Sequence, residues 1–212
     1  MNRLWDISPP ISADSPLFPG DVAFSQAWTA RIAPGCPVNL SAITMSPHIG
    51  AHADAPLHYA NDAAPIGAVD LHPYLGRCRV IHAIDCGPLV TRAHLDHAAE
   101  DMPERVLVRT CARAPTRWSD EFSAYAPQTL DWLASLGVRL VGIDSQSVDP
   151  ASSKTLDSHH RLLKLDLRVL ENLVLDDVPE GDYELIALPL KLTTGDASPV
   201  RAVLRELPAI EP

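Results

Sequence analysis

The chain has no C-x-x-C pair, no internal repeat, no low-complexity tract and no charge run long enough to act as a linker. Its four cysteines, Cys36, Cys78, Cys86 and Cys111, are too sparse in 212 residues for a disulfide framework and read as buried free thiols. No segment approaches the roughly 18–20 uninterrupted apolar residues of a membrane span, and Met1 to Asp6 offers no apolar stretch for a signal peptide. Positive charge is also in deficit: 17 Lys and Arg against 27 Asp and Glu leave a net charge of −10. A surface of that sign repels nucleic acid and anionic lipid, so neither is an expected partner. These absences describe a soluble, cytoplasmic protein.

What is present is ordinary globular composition, 46% apolar and 21% charged, which excludes disorder as the main description. The length fits one domain, taken as 1–212. Proline is the excess, 20 residues, about twice the usual share. Because proline removes a backbone donor and fixes φ, that number implies ordered loops and strand ends rather than a helix bundle. Strands are expected from Asp6 running into loop by Ile11, and over Val38 to Met45, Arg79 to Ile84, Arg105 to Arg109, Leu140 to Asp144 and Tyr183 to Leu188, with a turn over Leu17 to Asp21 at Pro19-Gly20. Helical patterns cover Thr91 to Ala99, Pro127 to Leu136 (stopped by Gly137) and Leu156 to Leu167. The sum is a mixed α/β domain.

Histidine is unevenly spread. Three of nine fall in Pro47-His48-Ile49-Gly50-Ala51-His52-Ala53-Asp54-Ala55-Pro56-Leu57-His58. In an extended chain successive side chains face opposite ways. One parity is then wholly apolar (Ile49, Ala51, Ala53, Ala55, Leu57), while the other holds His48, His52, His58 and Asp54. A solvated face would carry Lys, Glu, Ser or Thr; imidazole with carboxylate is a ligand set for zinc and similar ions. His52 and Asp54 lie roughly 6–7 Å apart along a strand and reach one metal, whereas His48 and His52 are about 13 Å apart if the strand is straight. The chain must therefore bend, and Gly50 permits it. Pro56 ends any ladder and swings His58 back over the site, while Pro47, Gly50 and Pro56 argue against a metal-binding helix. Further ligands are available downstream in His159, His160 and Glu171. Positions 159 and 171 are about 18 Å apart on a straight helix, so they converge only if the chain turns between them near Val169. Spacing alone leaves a solvated helix end open and does not choose between His159 and His160.

The His-x-Gly-x-His-x-Asp-x-Pro-x-His pattern at 48–58 resembles the metal-dependent cyclase-like hydrolases. The runs Leu4 to Pro10, Pro19-Gly20-Asp21, Gly142-Ile143-Asp144, Asp149-Pro150, Ser153-Lys154-Thr155, Leu175 to Val178 and Asp196 to Arg201 resemble the bacterial kynurenine formamidase branch of that family. The resemblance implies a swivelling β/β/α fold, usually a homodimer, with two zinc ions that hydrolyse N-formyl-L-kynurenine to L-kynurenine and formate in tryptophan breakdown. By position it implies His48, His52 and Asp54 at the first zinc, Asp54 bridging to a second completed by His159 and Glu171, and His58 as proton donor and acceptor. Phe18 stands in the substrate-contacting place where the family commonly has tryptophan, keeping an aromatic face but losing area and the indole N–H. The superfamily motif alone also fits a hydrolase or cyclase of another small amide, lactam or lactone, and a non-enzymatic metal-binding domain.

The remaining histidines (His72, His82, His94, His97) sit in plain surface or strand contexts. A serine triad built on Asp144, Ser145 or Ser147 is conceivable, but no G-x-S-x-G elbow is present.

Overall fold

The computed structural model describes residues 3–208. In chain order the elements are β1 (Leu4–Asp6), β2 (Ser25–Ala30), β3 (Leu40–Thr44), β4 (His52–Asp54), β5 (Leu75–His82), β6 (Leu89–Val90), α1 (Arg92–Leu95), β7 (Arg105–Arg109), β8 (Ala124–Tyr125), α2 (Pro127–Ser135), β9 (Leu140–Ile143), α3 (Asp157–Leu165), β10 (Arg168–Glu171), β11 (Gly181–Ile186), β12 (Ala197–Pro199) and β13 (Val203–Glu206). Nine strands make one mixed sheet in the order β1-β13-β11-β5-β7-β9-β10-β4-β12. Its centre, β5-β7-β9-β10, is parallel, and both flanks are antiparallel.

The central strands are continuous apolar runs because both of their faces are covered. The period of two then sorts their side chains into two cores. Val106, Val108, Val141, Ile143 and Val169 pack with Leu130 and Leu133 of α2 and Leu162 of α3. Leu107, Leu140 and Leu170 pack on the other face with Ala53 of β4, Leu185 of β11 and Leu204 of β13. Strands from both halves of the sheet share this second core, so the sheet curls around it.

The mixed α/β expectation holds, with differences at element ends. The strand expected from Arg79 begins at Leu75, because β11 pairs along Leu75 to Val80, and stops at His82 before the positive φ of Asp85 (60°). The helix expected over Thr91 to Ala99 is one short α-turn followed by a 3-10 turn at Asp96–Ala98. Left-handed residues at Leu156 (φ 50°) and Asp166 (φ 53°) confine α3. Strands β2, β6, β8, β12 and β13 have no counterpart in the sequence reading: β2 is almost wholly exposed and the others are two to four residues long. The cysteines are free, yet only Cys78 is buried; Cys36, Cys86 and Cys111 are partly exposed.

Gly142 is the tightest point between β9 and its neighbours. A Cβ there would lie 2.5 Å from Leu107 Cδ2 and 2.9 Å from Leu173 Cδ1, both in fully buried side chains. Overpacking of this kind costs typically about 1–3 kcal/mol. Gly142→Ala should therefore lower the melting temperature by several degrees, at about 2–4 °C per kcal/mol for a chain of this size. A thermal melt checks this, and an unchanged midpoint would mean that the leucines yield freely.

Candidate metal centre

Strand β4 is only His52-Ala53-Asp54, all buried, and is held between β10 and β12. Its antiparallel register sets Glu171 opposite His52 and Val169 opposite Asp54. On the other edge Ala197 lies opposite Asp54. Cross-strand partners have Cβ atoms about 4.5–5.5 Å apart, so β10 delivers a carboxylate beside the histidine. The apolar parity is inside as the alternation requires: Ile49, Ala51, Ala53 and Ala55 are all buried. Gly50 takes the bend, with φ 69°. Pro56 starts a 3-10 turn, Pro56–His58, which returns the His58 ring to 4.3 Å from that of His48 and 5.8 Å from that of His159.

The downstream residues arrive because the chain reverses after α3. His159 is in the first turn of α3, buried, with Nε2 3.4 Å from Asp54 Oδ2 and 3.8 Å from Glu171 Oε1. His160, next to it, is exposed and lines a separate groove with Gln128 and Lys164. The two therefore lie on different sides of α3, and His159 is the one beside Asp54.

Around Asp54 the donor atoms crowd without hydrogen bonding. His48 Nδ1 and His52 Nε2 lie 3.1 and 3.4 Å from Asp54 Oδ1, and His52 Nε2 lies 3.3 Å from Glu171 Oε2. Yet His52 Nε2 and both Asp54 oxygens, all buried, have no hydrogen-bond partner. Each such orphan costs about 1–3 kcal/mol unless something else binds it. Ligand atoms on tetrahedral bonds of about 2.0–2.2 Å lie about 3.3–3.6 Å apart; the His52–Asp54, His52–Glu171 and His159–Asp54 separations fall in that range, with His48–Asp54 shorter (3.1 Å) and His159–Glu171 longer (3.8 Å). The residues thus fit a divalent cation. Two groups of converging donors share Asp54: His52, Asp54 and Glu171, and His48, Asp54 and His58. This grouping puts a His58 ring nitrogen within 4.8 Å of an Asp54 oxygen, and joins His52 to Glu171 across the two sets that the resemblance implies.

Outer contacts orient the rings. His52 Nδ1–H donates to the Gly50 carbonyl (2.9 Å), which leaves its Nε2 lone pair free toward Asp54. Asp149 accepts from the backbone N–H of Ser158 and His159 at the start of α3, and its Oδ2 lies 2.7 Å from His159 Nδ1. Asp196 Oδ2 is shared between His48 Nε2 (3.0 Å) and His58 Nδ1 (3.3 Å). Val148 N–H donates to Glu171 Oε1 (2.8 Å). Sequence reasoning gave Asp149 and Asp196 no role. The only signal at Asp149 was its place in the Asp149-Pro150 run of the resemblance, because it stands eight residues before α3 and caps that helix only through the fold.

Burial would lower the His52 pKa, but Asp54 and Glu171 outweigh it and push it up to about 10. His159 reaches about 10 in the same way, against burial, through Asp149 and Asp54. Burial favours a neutral Asp54, yet His159, His48 and His52 hold its carboxyl well below the ordinary range.

The donors open onto a cavity of about 330 Å³, lined also by Phe18, Trp118 and Phe122. The other expected residues stand elsewhere. His82 meets the Val178 carbonyl, His97 pairs with Glu180, His94 closes a capping box with Thr91, and His72 faces Glu104. Ser145 Oγ donates to the Ser147 carbonyl, and Asp144 accepts from Thr110 and Cys111, an arrangement that ties loops together rather than building a triad.

Comparison with known proteins gives the family. The family described as "Putative cyclase" matches residues 5–150. The kynurenine formamidase of Bordetella avium (strain 197N) is 70% identical over 208 residues, covering 98% of this chain and 100% of that one. That of Delftia acidovorans (strain DSM 14801 / SPH-1) is 68% identical over 205 residues, covering 97% and 98%. A solved structure titled as a potential metal-dependent hydrolase with cyclase activity superposes with a TM-score of 0.85 at 27% identity, over the whole of both chains. Fold and donor set thus define a metal-dependent hydrolase of the cyclase-like class. Within that class, the chain belongs to the kynurenine formamidase family. Among the described residues no helix is long and apolar enough to cross a membrane.

The raised histidines carry a pH prediction for the metal-free protein. A histidine that is more basic when folded stabilises the fold fully below its unfolded pKa near 6.5, and that contribution is lost as pH rises toward about 10. Chelator-treated protein should therefore melt at progressively lower temperature from pH 6.5 to 10, and added zinc should restore stability while releasing protons. Melting curves in chelator that stay flat over this range would contradict the assignment.

Proposed function

We propose that this protein hydrolyses N-formyl-L-kynurenine to L-kynurenine and formate, using two zinc ions that share Asp54. The observation that carries the reading is a buried carboxylate with neither oxygen hydrogen-bonded, ringed by His48, His52 and His159 beneath an aromatic-lined cavity. The relatives that match this chain across almost their whole length are named kynurenine formamidases. In the proposed set His48, His52 and Asp54 hold one ion, and Asp54, His159 and Glu171 hold the other. Bound there, zinc lowers the pKa of water toward neutrality and polarises a carbonyl oxygen.

The reaction forms a C–O bond from water to the formyl carbon and breaks the bond from that carbon to the aryl nitrogen. One proton must leave the water and one must reach the departing nitrogen. His58 is the group assigned to carry it: Asp196 fixes its Nδ1, leaving Nε2 to take and return the proton. Asp149 holds the His159 ring at its outer nitrogen. Phe18, 57% exposed at the cavity, presents a ring face to substrate.

Kynurenine appearance, followed spectrophotometrically, tests this. Turnover should vanish with chelator and return with zinc. His58→Ala should lower kcat by roughly 10²–10⁴-fold with metal content retained, whereas His52→Ala should lose metal and activity together. No turnover from folded, zinc-loaded protein would overturn the assignment, and full activity in His58→Ala would remove that residue from the mechanism.

The working unit is proposed to be a homodimer in the cytoplasm. The ribbon of β2 and β3 carries exposed Trp28, Leu40 and Ile43, an apolar surface of the kind that marks association sites. Four unpaired cysteines suit a reducing compartment. Light scattering on a sizing column should give twice the chain mass, and Ile43→Asp should shift it toward the monomer. A monomeric parent protein would overturn the dimer.

A further inference from the structure

The cavity that holds the donors has a wall that the reaction above does not use. The loop from Thr110 to Ser123, between β7 and β8, carries Trp118, whose ring stands edge-on to Phe18 at 5.1 Å and 82°. Phe122 closes the group on the far side, 6.2 Å from Trp118 at 77°. All three rings line the same cavity as His58 and Glu171. Trp118 is the largest of them and the most firmly placed. Gln146, just after β9 and nearly buried, accepts from the Ser119 N–H (3.3 Å) and donates to the Arg117 carbonyl (3.4 Å). It thereby clamps the backbone on both sides of the tryptophan. The indole N–H is already given to Asp120 Oδ1 (2.8 Å), so what Trp118 offers a ligand is its ring and not a hydrogen bond.

We infer that Trp118 is the specificity-determining residue for the aryl ring of the substrate and that Gln146 is its positioning residue. This rests on the formamidase reading. In an aryl formamide the ring is bonded directly to the formyl nitrogen, so a carbonyl held beside His58 puts the ring against the adjoining cavity wall. Aromatic rings lining a cavity are the surface on which such a ring gains most by desolvation and edge or offset stacking. The site then favours aryl over alkyl formamides through Trp118 and not through the donors at Asp54.

The test is steady-state kinetics of zinc-loaded protein with N-formyl-L-kynurenine. Trp118→Ala should raise KM roughly tenfold while kcat changes much less, and Trp118→Phe should recover most of the loss. Gln146→Ala should raise KM in the same direction and add nothing in the Trp118→Ala background, because it acts only through that ring. An unchanged KM in Trp118→Ala, with the parent protein active, would overturn the assignment; additive effects would overturn the clamp. Calorimetric titration with L-kynurenine, itself an aryl amine, separates this from the reaction assignment. If the parent shows no turnover, the formamidase reading fails, while weaker binding of L-kynurenine in Trp118→Ala still supports the aryl wall and equal binding rejects it.

Discussion

Everything around Asp54 follows from keeping an ionised carboxylate out of water without giving it a hydrogen bond. Such a group is expensive to bury, and isolated it would take up a proton instead. Three imidazoles beside it hold it ionised, and the same imidazoles are themselves held basic by the acids they face. Among the described residues, nothing hydrogen-bonds His52 Nε2 or either Asp54 oxygen. Cations held by these groups would satisfy those atoms, and the 3.3–3.4 Å separations of His52 from Asp54 and Glu171 and of His159 from Asp54 are those that bonds to a common ion produce.

The sheet is what makes that cluster affordable. A three-residue strand has little stability of its own, but β4 is paired on both edges and its alternate residues are buried among Leu107, Leu170 and Leu185. Pairing with β10 brings Glu171 and pairing with β12 brings Asp196 to its end. The parallel centre of the sheet, packed by α2 and α3 on its other face, delivers His159 and its cap Asp149 from the connection after β9. Four stretches of chain spread over 148 positions, from His48 to Asp196, thus meet at one point, each fixed by backbone hydrogen bonds rather than by a flexible side chain. Preorganisation of this kind is what a metal centre requires if its ligands are not to spend binding energy on ordering.

The cavity is chemically divided. Imidazole and carboxylate groups supply charge, while Phe18, Trp118 and Phe122 supply a surface that excludes water. The aromatic part sits on loops, where substitution changes ligand preference without disturbing the sheet.

Several features were legible in the residues themselves. The parity of His48 to His58 declared an apolar and a ligating face, and Gly50 and Pro56 marked the two bends, because side-chain alternation and backbone freedom are local properties. Continuous apolar runs located β7 and β9 to within a residue for the same reason. Local chemistry did not choose between His159 and His160. Adjacent helical residues differ only in the direction they face, and the packing of α3 against the sheet set His159 inward. Nor did it disclose Asp149, Asp196 or the clamp of Gln146 on Trp118, whose partners lie from 10 to 148 positions away in the chain. The sequence by itself determined which residue types stand ready to bind a cation and where the chain bends. The tertiary structure decided which of them converge, because strand register and helix orientation arise from pairing and burial between distant segments that no local pattern encodes.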